Sequence, residues 1–309
     1  MDVPVIPEAT THPPSEAPGQ PPAARAAAAG PGLPRHLVHT VMEAKPGWRP
    51  VDLRELWQYR DLLWFLAVRD IKVRYKQTAL GVAWAIIQPL FTMIVFYVFF
   101  GRLGNLGPTG VSYVPWSLAG LVPWTLFANG LSNASNSLVA EQRLLSKVYF
   151  PRLIVPTAAV LGGLVDFTIA LGLLAVAMPF FHMHPGWQVV TLPLFVLFAV
   201  VAALSVSLWL SALNVQYRDV RYTLGFLTQL WLFLTPVAYP STKVPAAWRP
   251  LYGLNPMAGV VEGFRWALLG DSQPPPGPMT FVSVAVTLLL LVGGLFYFRR
   301  MERGFADVV

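Results

Sequence analysis

Long runs of uninterrupted apolar residues alternate along this chain with short clusters of charge. From Gln77 through Gly101 no Asp, Glu, Lys or Arg occurs, and Arg69, Lys72, Arg74 and Lys76 crowd just before it. About 20 apolar helical residues suffice to cross a bilayer core. Comparable stretches recur, so the pattern predicts six crossings near 79–100, 114–132, 153–181, 189–213, 223–239 and 279–298. The cations sort by side: five in Arg60–Lys76, three in Arg143–Arg152, two in Arg218–Arg221 and three in Arg299–Arg303 would lie inside. Only Arg102, Lys243, Arg249 and Arg265 would lie outside, which orients both termini to the cytoplasm. The expected fold class is an all-α membrane protein, N-in and C-in.

Four segments between the spans have a pattern of their own. Over 51–77, Leu53, Leu56, Trp57, Leu63, Trp64, Ala67, Val68 and Ile71 recur at three- and four-residue steps, with Arg54, Asp61, Arg69 and Lys72 on the other side. That spacing predicts an amphipathic helix in the interface plane, with Trp57 and Trp64 towards lipid and Arg69, Lys72 and Arg74 towards headgroups. A cytoplasmic helix packed on a partner fits the same spacing. Asn133 to Pro151 reads as a polar stop containing a short helix, capped by Asn136 or Ser137 and ended by Pro151. In it Glu141, Arg143 and Lys147 would be exposed. Asn214 to Tyr222 reads as a second inner loop, with Asp219 between Arg218 and Arg221. Between the last two spans, Asn255-Pro256 marks a helix start. Beyond it an apolar stripe carries Glu262 and Arg265 as an i,i+3 pair, an interfacial or re-entrant helix rather than a span.

Composition agrees with a membrane protein: 55% of the 309 residues are hydrophobic and 12% charged, against roughly 25% charged in soluble domains. The formal charge of +7 lies in clusters beside apolar spans, which excludes a nucleic-acid face. Residues 1–50 are rich in Pro, Ala and Gly and poor in large apolar side chains, so they are expected to be a disordered cytoplasmic tail. The segment lacks the apolar core of a signal peptide. With no cysteine, disulfide and thiolate chemistry are excluded. His182-Met183-His184 has neither cysteine nor a nearby carboxylate to complete a site, so no metal is expected. Asp166 sits within the third span, where an ionised carboxylate costs about 2.5–3.5 kcal/mol, so it should be paired, protonated or turned inward. A structural hydrogen bond is the favoured role. No Gly-x-x-x-x-Gly-Lys-Ser/Thr run occurs, so this chain cradles no nucleotide phosphate itself.

Thr78 to Trp84 (TALGVAW), Gln88-Pro89, the Tyr217-Arg218-Asp219-Val220 loop, the Asn255-Pro256-Met257 segment and the Phe305-Ala306-Asp307-Val308 tail resemble the membrane subunits of ABC-type polysaccharide exporters. These are type-2 permeases for O-antigen, capsule and teichoic acid. The resemblance covers about Asp52 to Val309. It implies a six-span domain over 78–309, an interfacial helix near the ATPase, and re-entrant helices before the last span. It implies a homodimer paired with two copies of a separate ATPase, which binds the ATP and Mg. The cargo would be a lipid-linked glycan moved outward across the bacterial cytoplasmic membrane. It also makes Glu141, Arg143, Lys147 and Tyr149, with Arg218, Asp219 and Arg221, candidates for coupling to that ATPase.

Aromatic faces suit a glycan path, and Phe91, Tyr97, Trp124, Trp231 and Tyr239 are candidates. Lipid-facing belt residues look the same in sequence. An exporter of a drug or small lipid is the alternative within the superfamily. An intramembrane enzyme is disfavoured, since no span holds a histidine or paired carboxylates.

Overall fold

The computed structural model describes residues 53–76, 81, 83–183, 185–217 and 219–302. The N-terminal 50 residues, most of the Thr78–Trp84 motif, His184, Arg218 and the Phe305–Val308 tail lie outside them.

Among the described residues the chain is all-helical. Two helices open it, α1 (Leu53–Gln58) and α2 (Arg60–Lys76), separated at Tyr59. They replace the single helix that the spacing suggested. Next come α3 (Ala83–Phe96), continued by a π-helical turn to Leu103, and α4 (Tyr113–Ala140). The short α5 (Gln142–Leu145) leads to α6 (Ile154–Gly162) and α7 (Leu164–Phe180), in line but for a break at Gly163. Then follow α8 (Leu192–Gln216), α9 (Asp219–Leu234), α10 (Arg249–Tyr252), α11 (Pro256–Leu269) and α12 (Pro278–Met301).

Among the described residues, four helical stretches are long and apolar enough to cross a membrane: Ala83–Leu103, Ile154–Phe180, Trp187–Gln216 and Pro278–Met301. The other two expected spans differ from these in kind. Helix α4 is 28 residues long without a charge, but Ser, Thr and Asn dilute its apolarity. Helix α9 has 16 residues, short of the roughly 20 that a perpendicular crossing needs.

The core sits around α4, which packs on α3, α6, α7, α8 and α11. Its apolar residues Trp116, Leu121, Phe127 and Leu131 are buried, and its buried Ser117 and Ser137 donate their hydroxyls back to carbonyls one turn earlier. Small residues let the helices approach. A Cβ on Gly130 would lie 3.5 Å from both Ala203 of α8 and Val160 of α6. Along α8, Ala199, Ala202, Ala203, Ser205 and Ser207 are buried. The outward faces remain apolar, with Phe91 and Ile94 on α3, Val176 on α7, Leu194 on α8, Phe226 on α9 and Phe281 on α12 exposed. Such a surface is stable only against lipid or another apolar chain.

Both inner segments are more helical than expected. Asn133–Ala140 continues α4, so Asn136 and Ser137 sit in its last turns and cap nothing. Asn136 Nδ2 donates to the Ser132 carbonyl, 2.8 Å away. Asn214 Nδ2 donates to the Ser135 carbonyl at 2.9 Å, and this bond keeps the ends of α8 and α4 helical side by side. In the same way α8 runs to Gln216 and α9 begins at Asp219, which reduces the second loop to a tight corner.

Candidate functional site

At one end of the bundle, α4 stops at Ala140 and the chain turns through Glu141 into the four-residue α5. Arg69 of α2 reaches Glu141 as a two-pronged pair, Nη2 to Oε1 at 2.5 Å and Nη1 to Oε2 at 3.2 Å. Its Nη2 also donates to Asp70 at 2.8 Å. The hydrogen bonds that Arg69 donates to Glu141 hold the guanidinium's proton more tightly than usual, outweighing partial burial. Helix α2 is thus clasped to the turn that follows α4, although the two residues are 72 positions apart. Sequence reasoning named both residues but had no signal for joining them.

A second set of bonds closes this layer. Arg152, before α6, donates its backbone N–H to Glu302 at 3.2 Å. Glu302 also accepts from Arg299 at 3.0 Å, and Arg299 lies 3.9 Å from Glu55 of α1. Beyond the clasp, Arg143, Lys147, Val148 and Tyr149 protrude. Partial burial, with Glu55 and Glu302 nearby, pushes the Tyr149 phenol upward. Asp219, Arg221 and Tyr222 at the start of α9 are also exposed. A knob of cations with an aromatic among them is suited to an acidic, partly apolar socket on another protein.

Deeper in, Asp166 near the start of α7 accepts hydrogen bonds from Arg74 and Tyr75 at the end of α2. The lone acid of the spans is therefore paired. Its partners come from the preceding basic run, so that run also neutralises a carboxylate.

At the opposite end, α11 is almost wholly buried. Asn255 caps it by accepting from the Met257 N–H at 3.0 Å, while its amide donates to Thr235 Oγ1 at 2.9 Å. Trp231 donates its indole N–H to Asn255 Oδ1 at 2.9 Å. The expected Glu262–Arg265 pair does not form. Arg265 is 3% exposed and donates instead to the carbonyls of Pro236 and Val237, each at 2.6 Å, and of Trp116 at 3.3 Å. Its guanidinium lies 3.4 Å from the centre of the Trp116 ring. Helix α9 ends at Leu234, and Arg265 satisfies the carbonyls of the turn just beyond it, at Pro236 and Val237. Only glycine fits at position 120, where a Cβ would meet Arg265 Nη2 at 2.7 Å.

The candidate path aromatics divide. Trp124 is 5% exposed and packs on Phe127 at 5.5 Å between centroids, so it is core and offers no face to a pathway within this chain. Trp231 also stacks edge-on against Phe127 and is half-buried. Tyr239 spends its hydroxyl on the Phe233 carbonyl and on Tyr252. Phe91 and Tyr97 on the α3 side remain exposed. Trp57 and Trp64 are exposed as well.

The family profile for the ABC-2 type transporter matches residues 61–269, from the start of α2 to the end of α11. The chain belongs to that family. It is 31% identical over 253 residues to the O-antigen export system permease protein RfbA of Myxococcus xanthus, covering 81% of this chain and 96% of that one. It is 26% identical to the RfbA of Klebsiella pneumoniae (81% and 95% covered) and 22% identical to the polysialic acid transport protein KpsM of Escherichia coli (77% and 92%). The matched region of this ABC-2 permease contains the Arg69–Glu141 clasp, the Asp166 pair and the Arg265 cluster. It stops short of α12.

Proposed function

We propose that this ABC-2 permease is the transmembrane subunit of an ATP-driven exporter that carries a lipid-linked polysaccharide outward across the bacterial cytoplasmic membrane. The observation that carries the reading is the match along nearly the whole length of permeases named for O-antigen export, with a polysialic acid transporter further off. In this reading two copies of the chain pair with two copies of a separate ATPase, which binds ATP and Mg. Helices α3, α4, α6–α7, α8, α9 and α12 cross six times, both termini face the cytoplasm, and α10–α11 re-enter from the outer side. The exposed Arg143, Lys147 and Tyr149, with Arg218, Asp219 and Arg221, receive the ATPase's motion. The clasp passes that motion to α2.

The test removes the partner ATPase. Lipid-linked polymer should then accumulate inside the cell, and normal surface glycan would overturn the reading. Arg143→Glu with Lys147→Glu should leave insertion intact while ATP hydrolysis no longer drives export. Undiminished export in that variant would remove the coupling assignment.

A further inference from the structure

Thr125, Asn129 and Asn133 follow one another at four-residue steps and so line one face of α4. Opposite them stand Trp84 and Gln88 of α3, with the Arg74–Asp166 pair below. These groups line an open cavity of about 270 Å³. Asn133 and Arg74 also line a second cavity of about 590 Å³, which continues past Asn136 to Arg69 and Glu141. A polar groove therefore runs from the cytoplasmic clasp into the part of the bundle where neither α3 nor α4 bears a charge.

Both arginines that reach the groove already have carboxylate partners, Arg74 in Asp166 and Arg69 in Asp70 and Glu141. An anionic ligand would have to displace one of them. The amides differ: the side chains of Gln88, Asn129 and Asn133 form no hydrogen bond with any described residue. Asn129 and Asn133 are half-buried and Gln88 is exposed at the groove's rim, and polar groups within a membrane are costly without partners. Each amide sets a donor beside an acceptor, the complement of neighbouring hydroxyl groups. Trp84, 54% exposed, adds a ring face at the edge.

We infer that this groove binds a neutral, hydroxyl-rich ring, one sugar residue of the lipid-linked glycan. The identity of that ligand rests on the export reading above. At about 30 Å³ per water, the upper cavity equals roughly nine waters, space enough for one ring. The amides would hold the hydroxyls while the lipid chain lies along the exposed apolar flank of α3.

The absence of cysteine makes the test direct. Asn129→Cys places one thiol in the full-length chain, which is reconstituted in lipid vesicles and labelled with a small charged methanethiosulfonate. Labelling should proceed, hexyl β-glucoside should suppress it, and hexanol should not. Adding Gln88→Leu should weaken the glucoside's protection roughly fivefold, the worth of one hydrogen bond. Asn133→Cys is the second reporter should the first fail to yield monodisperse protein. A thiol in the groove that stays unlabelled while Lys72→Cys reacts would mean a dry groove and overturn the proposal. Equal protection by hexyl phosphate would make it an anion or lipid-headgroup site, and equal protection by hexanol a merely apolar one. Either result overturns the sugar assignment. The assay involves neither ATP nor export. Protection with failed export would leave the site standing and remove the transport reading, whereas export without protection would do the reverse.

Discussion

The Arg69–Glu141 clasp makes a quantitative prediction. Glu141→Ala removes both prongs and leaves Arg69 with Asp70 alone. The two side chains are 33% and 24% exposed, so solvent screens the pair, and its worth lies between a surface ion pair and a buried one. A two-pronged geometry with charge on both partners places the loss at about 1–2 kcal/mol. That energy holds the C-terminal half of α2 against the bundle, and its loss raises the undocked fraction about 5- to 30-fold. Lys72 and Lys76 lie in that half and are exposed, so trypsin reads the fraction directly. When opening and closing are fast, the cleavage rate tracks the open population. Cleavage after Lys72 and Lys76 should therefore quicken by that factor in Glu141→Ala. The exchange Arg69→Glu with Glu141→Arg should recover most of the loss. Unchanged cleavage in the single variant, or no recovery in the exchange, would show that the pair does not hold α2 down.

Three further outcomes are expected. Arg74→Ala leaves the Asp166 carboxylate with Tyr75 but no cation and should lower stability in detergent by about 2–3 kcal/mol, part of which Asp166→Ala in the same chain restores; a cost without restoration would mean that the pair itself is unimportant. Arg265→Leu leaves the Pro236 and Val237 carbonyls unpartnered and should cost about 3–5 kcal/mol by thermal unfolding. Arg265→Lys should rescue little, since an ammonium cannot span three acceptors and stack on Trp116; a full rescue would refute the geometry. In Gly263→Ala the new methyl would sit 2.0 Å from Phe195 Cε1. Overpacking should cost about 1–3 kcal/mol, with Phe195→Leu relieving it in the double variant, as measured by the same unfolding assay.

Much of this protein is legible one segment at a time. Apolar runs mark the membrane helices because each must satisfy its backbone internally and its side chains in lipid, which are properties of composition and length. Asn255-Pro256 marks the start of α11 because cap chemistry acts within a few residues. The break at Tyr59 and the extension of α4 through Asn136 were hidden. Both depend on what the helix ends touch, and the second follows from Asn214 reaching across to Ser135.

The sequence by itself determined the solvent: a chain this apolar, with cations banked on one side of its long runs, has to live in a bilayer. Which charges meet was decided only by the tertiary structure. Arg265 passes over Glu262, its near neighbour in sequence, for carbonyls exposed where α9 ends. Asp166 takes Arg74 from 92 residues away, and Glu141 takes Arg69. Partner choice in a low-dielectric bundle follows desolvation and reach, and both exist only once the helices have packed.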